Sequence, residues 1–333
     1  MPKFPILVAD IGGTHARFAW VAGSHAQPSD ARTLKVSEFE SPSAAAQFYL
    51  ESLSQTLGSR YEPPRQAAFA VAASLRGDWA SFTNSAWSFS CKEIQAALGL
   101  DHFLALNDFE ALAYALPHLA VEKLRAWDGT WSPGPGNLAV LGPGTGLGVA
   151  GLIKTLGGWQ AVPGEGGHMT LAPFDDFESE IFAKLRKDYR HVSAERLLSG
   201  LGLPLLHQTI LQLKGLSGNA VSTEVIVSAG LAGEVHAHET LGVFCALLGG
   251  FAGNVALTLG ARGGVFIGGG IVPRLGDFFF ESKFKARFEA KGRFDSYLKE
   301  IPVVLILDTD AAMLGALRRL ELAQSGKGAS DGV

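Results

Sequence analysis

Ile6 to Val21 reads ILVADIGGTHARFAWV, and Leu138 to Ile153 reads LAVLGPGTGLGVAGLI. Each stretch is a short apolar run, a glycine-rich turn carrying one threonine, and a second apolar run. This pattern predicts strand, turn and strand in both places. A turn with many backbone N–H groups and few side chains lets an anion approach closely. Two such turns about 130 residues apart therefore predict two related halves that share one phosphate-bearing ligand. Phosphoryl transfer is the chemistry this points to.

The surrounding pattern extends the reading. Residues 43–57 have helical spacing, and Ala67 to Ala73 forms a short apolar strand. Ser90 caps a helix that runs to Leu98. Leu104 to Leu106 is a strand with Asn107-Asp108 at its end, and Ala111 to Leu116 is a helix. Gly157-Gly158 suits a two-residue hairpin turn. Residues 175–190 and 193–198 read as helices, and 303–307 and 311–322 as a last strand and helix. Strands alternating with helices give an α/β chain with mostly parallel sheets.

The bulk properties exclude several classes. A chain of 333 residues with 47% hydrophobic residues has room for two cores. Forty-one glycines exceed average usage of about 7%, and they cluster in turns. A net charge of −4 lacks the basic surplus of a nucleic-acid binder. Cys91 and Cys245 are too far apart for a CxxC motif, which argues for a reducing compartment and against a zinc site. The N-terminal residues lack the apolar core of a signal peptide. The uncharged run Thr240 to Ala261 is long enough to raise a membrane span. Its five glycines and Asn254 favour a buried helix packed closely through the glycines. The polar tail Gly326 to Val333 reads as disordered.

Several constellations carry chemistry, each beside a plainer reading. Asp10, at a strand end, can hold a hydrated Mg²⁺ with its single carboxylate, or merely stabilise a hairpin. Thr14 can donate to a phosphate oxygen. Gly146, Gly148 and Gly151 with Glu165 imitate a dinucleotide fingerprint, but that motif needs a helix after the glycines and a hairpin is predicted here. Asn107-Asp108 lies where ligands gather in α/β sheets, so Asp108 can take the proton of an attacking hydroxyl. An ordinary aspartate, with a pKa near 3.9, is an ionised but weak base. The plain alternative is a cap for the following helix. Glu165 and His168, in PGEGGH, suit a small polar ligand such as a sugar. Glu195 is either a solvated helix residue or another such ligand. Asn84, in TNSAW, pairs a polar group with Trp87 in a way that suits a sugar edge.

Taken together, the chain resembles the bacterial-type glucokinases that lack the zinc-binding cysteine cluster of the repressor–kinase group. The resemblance rests on DIGGT at 10–14, TNSAW at 83–87, NDFEA at 107–111, GPGTGLG at 142–148, PGEGGH at 163–168, HVSAERLLSG at 191–200, GGVFIGGGIVPR at 263–274 and KGRF at 291–294. It implies two related actin-like ATPase (ribonuclease H-like) α/β domains with an interdomain cleft: 1–118 plus about 308–333, and 119–307. It implies ATP-dependent phosphorylation of the glucose 6-hydroxyl. Another hexose, such as N-acetylglucosamine or mannose, is the alternative substrate.

By the same resemblance, Asp108 would be the general base. Asn84, Asn107, Glu165, His168 and Glu195 would join it in holding the sugar. Ala9, Asp10, Ile11, Gly12, Gly13 and Thr14, with Gly142, Gly144, Thr145 and Gly146, would cradle the ATP phosphates. Gly268, Gly269 and Gly270 would pack against adenosine, and Asp10 would lie near Mg²⁺, through water. A cytoplasmic homodimer without nucleic-acid or membrane partners is the family's usual state. His15, Pro143 and Leu201 depart from the common pattern, which places asparagine, alanine and proline there.

Overall fold

A computed structural model describes residues 3–24, 26–82, 87–132, 134–217 and 220–324. Two compact units emerge. The first comprises residues 1–119, 154–162 and 308–333, and the second residues 120–153 and 163–307. The tail from Gly326 onward and Asn84 lie outside the described residues.

In the first unit, β1 (Ile6–Ile11), β2 (His15–Val21) and β3 (Ser29–Lys35) form an antiparallel meander. On the other side of β1 lie β4 (Gln66–Val71) and then β8 (His102–Asn107), both parallel to their neighbours. The sheet order is β3-β2-β1-β4-β8. Between these last two strands the chain makes a small antiparallel sheet of β5 (Ser74–Arg76), β6 (Trp79–Ser81) and β7 (Ser88–Ser90). The central strands β1 and β4 are apolar nearly throughout, as strands covered on both faces must be. β3, reading SDARTLK, is charged and largely exposed, which suits an edge.

Helix α1 (Pro42–Leu57) starts at Ser41, whose hydroxyl accepts from the Ala44 N–H, with Pro42 at the first helical position. Helix α2 (Cys91–Ala97) is capped by Ser90 as the sequence predicts, its hydroxyl accepting from the Glu93 N–H. Helix α3 (Asp108–Ala115) follows β8 directly. The last described helix, Ala311–Gln324, lies against α3, β1 and β4. Its Gly315 is the reason it can: a Cβ there would stand 1.7 Å from the Ala111 carbonyl oxygen.

The sheet built on the second unit repeats this plan, although residues 154–162 of its outer hairpin group with the first unit. β10 (Leu138–Pro143) and β11 (Leu147–Thr155) are antiparallel, and β12 (Gly158–Gly164) lies beside β11. On the far side of β10 come β13 (Gly264–Ile267) and β14 (Val303–Ile306), both parallel to their neighbours. β9 (Leu124–Ala126) closes the order β12-β11-β10-β13-β14-β9. The first five positions reproduce β3-β2-β1-β4-β8 strand for strand. The internal repeat of glycine turns is thus the repeat of a whole sheet. The hairpin turn between β11 and β12 sits at Leu156-Gly157, one residue before the predicted pair, so Gly158 begins β12 with φ 121°.

Helices α6 (Gly202–Leu213) and α7 (Thr223–Leu231) lie against α8 (Val235–Leu259), and α4 (Asp176–Leu185) and α5 (Ala194–Leu197) lie against α6. The helix expected over 175–190 stops at Leu185, and that over 193–198 is a single turn. α8 is long and apolar enough to cross a membrane, yet most of its apolar stretch is covered inside the unit. Short helices α9 (Val272–Leu275), α10 (Asp277–Glu281), α11 (Phe284–Glu289) and α12 (Asp295–Lys299) complete the unit. α11 lies directly on α8, where a Cβ at Gly249 would meet the Phe284 carbonyl oxygen at 2.1 Å and one at Gly253 the Phe288 carbonyl oxygen at 2.4 Å. Close packing through glycines is therefore real, but only on one face. Gly242 and Gly250 face open space.

That asymmetry gives a paired expectation. Gly249→Ala forces α11 away and should cost about 2–3 kcal/mol. Gly250→Ala meets nothing within 4 Å and should be neutral or stabilising by up to ~1 kcal/mol, since alanine is the better helix former. Urea unfolding of the two variants checks this, and equal losses would contradict the packing described.

Candidate active site

The first unit gathers its polar groups at one edge of its sheet. Ile11, Val71 and Asn107 end the parallel strands β1, β4 and β8 in register. The C-terminal edge of parallel strands is where ligands collect in α/β sheets. Asp10 therefore lies at the same edge as Asn107 and Asp108. The turn after β1 closes with the Gly12 N–H donating to the His15 carbonyl at 2.9 Å, and Thr14 is exposed beyond it.

Asn107 does what the plainer reading predicts. Its Oδ1 accepts from the Phe109 N–H at 2.9 Å and the Glu110 N–H at 3.3 Å, capping α3. The cap does not exclude a ligand role, because the amide N–H₂ is not used in it. Asp108 Oδ1 also accepts from the Phe109 N–H, at 2.9 Å, and this bond does not engage Oδ2.

Asp108 is not the ordinary carboxylate expected from sequence. Burial pushes its pKa up to about 7, and the Asp10 charge pushes the same way against its backbone hydrogen bonds. Burial likewise raises Asp10 to about 6, with Arg17 opposing and Asp310 assisting. Arg17 and Asp310 are absent from the sequence reading. Arg17 stands directly opposite Asp10 across the β1–β2 hairpin. Its Nη1 lies 2.8 Å from Asp310 Oδ1 and donates to Thr309 Oγ1 at 3.1 Å. The hairpin register alone would have paired Arg17 with Asp10. Nothing local could reveal Asp310, which lies three hundred residues further on.

The second unit assembles its candidates around Leu147. The Gly142–Gly148 turn lies between antiparallel strands, with Gly142 opposite Gly148 and Pro143 opposite Leu147. A strand and hairpin, not a helix, follow these glycines, as the sequence predicts. Thr145 is exposed at the tip, the counterpart of Thr14. Gly268, Gly269 and Gly270 follow β13, and the first two press on this turn, whereas a Cβ at Gly270 would meet nothing within 4 Å. The Gly268 N–H donates to the Leu141 carbonyl at 2.9 Å, and Cβ atoms at Gly142 or Gly269 would collide with the opposing backbone at 2.5 and 2.3 Å.

The PGEGGH loop leans on the same place. A Cβ at Gly167 would stand 2.1 Å from the Leu147 carbonyl oxygen, and one at Gly166 would meet Val149 at 2.9 Å. Glu165 and His168 flank this glycine pair and are exposed. Glu195, in the single turn α5, is neither a solvated helix residue nor simply free for a ligand. Its Oε2 accepts from the Leu147 N–H at 2.9 Å, and its Oε1 lies 3.8 Å from His168 Nε2. The structure thus brings together Gly142 to Gly146, Glu165, His168, Glu195 and Gly268 to Gly270 in this unit. It brings together Ala9 to Thr14, Asn107 and Asp108 in the first.

The departures from the common pattern leave this geometry intact. The His15 side chain is exposed while its carbonyl closes the first turn. The Pro143 carbonyl accepts from the Ile271 N–H at 3.2 Å, and Leu201 is exposed before α6.

Comparison with known proteins agrees. A family model described as Glucokinase matches residues 7–323. A glucokinase of Aromatoleum aromaticum is 45% identical over 325 residues, covering 97% of each chain. A glucokinase of Neisseria gonorrhoeae is 42% identical over 318 residues, covering 95% of each. The crystal structure of a glucokinase from an Antarctic psychrotroph superposes with a TM-score of 0.85 at 34% identity, covering 96% of this chain and 99% of its own. The repeated sheets are those of the actin-like ATPase fold shared by such sugar kinases. On the match along nearly its whole length, the chain belongs to the glucokinase family.

Proposed function

We propose that this chain transfers the γ-phosphoryl group of ATP to the 6-hydroxyl of glucose, giving glucose 6-phosphate and ADP. The observation that carries the reading is Asp108. It is a carboxylate at the ligand-collecting end of a strand, raised to a pKa of about 7 by burial and by Asp10. A base poised near neutrality can take a hydroxyl proton at working pH. Asp108 Oδ2 is the atom assigned to that proton. Asn107, Glu165, His168 and Glu195 hold the other sugar hydroxyls, with Asn84 as a further candidate.

The two glycine turns hold the triphosphate through backbone N–H groups, with Thr14 and Thr145 adding hydroxyl donors. Gly268 to Gly270 seat the adenosine. Among the described residues, no group of three or more histidine, cysteine, aspartate or glutamate side chains converges as a metal site. One carboxylate plus water and phosphate oxygens is the environment Mg²⁺ favours, and Asp10 supplies that carboxylate. When bound, Mg²⁺ neutralises charge on the transferring phosphates. Excluding water from the bound sugar keeps it from competing as acceptor. Two thiols, Cys91 and Cys245, unpaired in the structure, suit a cytoplasmic enzyme, and a homodimer is taken from the family's usual state.

Asp108→Asn is expected to lower kcat at least ~100-fold, the ordinary worth of a positioned base, with the glucose KM changed only a few-fold. Retention of more than about a tenth of wild-type kcat, ~1.4 kcal/mol of barrier, would reject Asp108 as the base.

The raised pKa sets two pH dependences. The base form is lost as pH falls, so kcat/KM for glucose should decline through an acid limb near pH 7, an apparent value that belongs to the interacting carboxylates together. For folding, the native state binds an extra proton between the unfolded value near 3.9 and the native one, so this group's contribution to stability falls as pH rises across that window. Asp108→Asn removes the penalty. Its stabilising effect should be roughly 1–2 kcal/mol larger at pH 8 than at pH 5 in chemical denaturation. A gain that is flat with pH would contradict the assignment.

Acceptor identity is read by a coupled ATP assay over glucose, mannose, fructose, galactose and N-acetylglucosamine. Glucose should give the highest kcat/KM. A higher value for N-acetylglucosamine or mannose would transfer the assignment to that sugar.

A further inference from the structure

The Gly142–Gly148 turn is fixed from outside by two points of one short segment, Ser193 to Gly200. At one point the Leu147 N–H donates to Glu195 Oε2 at 2.9 Å. At the other, the Gly200 N–H donates to the Gly144 carbonyl at 2.7 Å, while the Gly144 N–H donates within the turn to the Gly146 carbonyl at 2.8 Å. Gly200 is itself held, its carbonyl accepting from Thr223 Oγ1 at 2.5 Å. Glu195 fits against the turn so closely that a Cβ at Gly146 would stand 2.5 Å from its Oε2. The other oxygen, Oε1, faces His168 at 3.8 Å.

A carboxylate is planar, so its two oxygens move together. A hydroxyl that donates to Oε1 fixes the plane in which Oε2 meets Leu147. Bonds to an ionised acceptor are the stronger and more orienting kind. We infer that Glu195 is a positioning residue for the phosphate turn as well as a sugar ligand, and that it couples glucose occupancy to nucleotide affinity through the Leu147 N–H. The sugar half of this rests on the function proposed above. The brace on the turn does not. Linkage makes the coupling reciprocal: if glucose tightens the nucleotide, the nucleotide tightens glucose by the same factor.

The test is calorimetric titration of the full chain with a non-hydrolysable ATP analogue and Mg²⁺, with and without saturating glucose. Wild type should bind the analogue roughly 5-fold or more tightly when glucose is present, the lower end of typical coupling. Glu195→Ala should weaken analogue binding about 5-fold or more even without sugar, and should bring the glucose effect to near one. His168→Ala, which removes a proposed sugar ligand but not the brace, should weaken glucose while leaving sugar-free analogue affinity within about twofold.

Gly146→Ala, itself in the proposed phosphate cradle, keeps every proposed sugar-holding side chain and adds a Cβ whose near neighbours are all Glu195 atoms. It too should lose the glucose effect, and it serves if Glu195→Ala does not fold. Analogue affinity in Glu195→Ala within twofold of wild type, or a wild-type coupling factor of one, overturns the inference. Glucose affinity unchanged in both Glu195→Ala and His168→Ala would instead overturn the sugar-site reading, and the sugar-free analogue measurement would still report on the brace.

Discussion

One peptide backbone can lie directly on another only where a Cβ is missing, and this constraint governs how the site is built. Gly142 and Gly269 let the strand ends β10 and β13 converge, and Gly167 lets the sugar-loop candidates rest on Leu147. Side chains at these places would hold the Gly142–Gly148 turn, the Gly268–Gly270 segment and the Glu165–His168 loop apart by the thickness of a methyl group or more. Interiors are packed too densely to absorb such displacements without strain. The glycine surplus is therefore mainly a matter of distance between chains rather than of flexibility.

The second constraint is electrostatic. Asp10, Asp108 and Asp310 share one edge of the first unit, with the Arg17 guanidinium near Asp10 and paired with Asp310. Burial and mutual repulsion raise the first two carboxylates above their usual range. An enzyme site tolerates this because a folded state with reserve stability can carry groups that its fold would prefer neutral. The duplicated sheets make the contrast sharper. At the position equivalent to Asp10 the second unit has Gly142, so the strand that carries a carboxylate in one copy has glycine there in the other.

Much of this was legible in the sequence, and for identifiable reasons. The two hairpins, the Ser90 cap, the buried glycine helix and the rejection of a dinucleotide site all follow from local spacing and turn chemistry. Asn107 was ambiguous between cap and ligand because one side chain has atoms enough for both. The state of Asp108 was not legible, since its raised pKa comes from burial and from a residue nearly one hundred positions earlier. Arg17 paired with Asp310 was out of reach because it depends on a long-range return of the chain. The bond between Glu195 and Leu147 was out of reach for a related reason: the partner is a backbone N–H, and backbone groups leave no mark in a sequence pattern.

The return of the chain to its first unit also orders events during synthesis. Helix Ala311–Gln324 lies against α3 and the central strands β1 and β4, while the second unit's core is drawn from residues 139–305. On the ribosome, the second unit therefore has its core in hand while the first still lacks a wall. Vectorial folding usually favours the segment made first. Here the acidic edge, with Arg17 awaiting Asp310, is completed only after the second unit's core has been made, so a product truncated before residue 308 would hold an assembled second unit and an open first one.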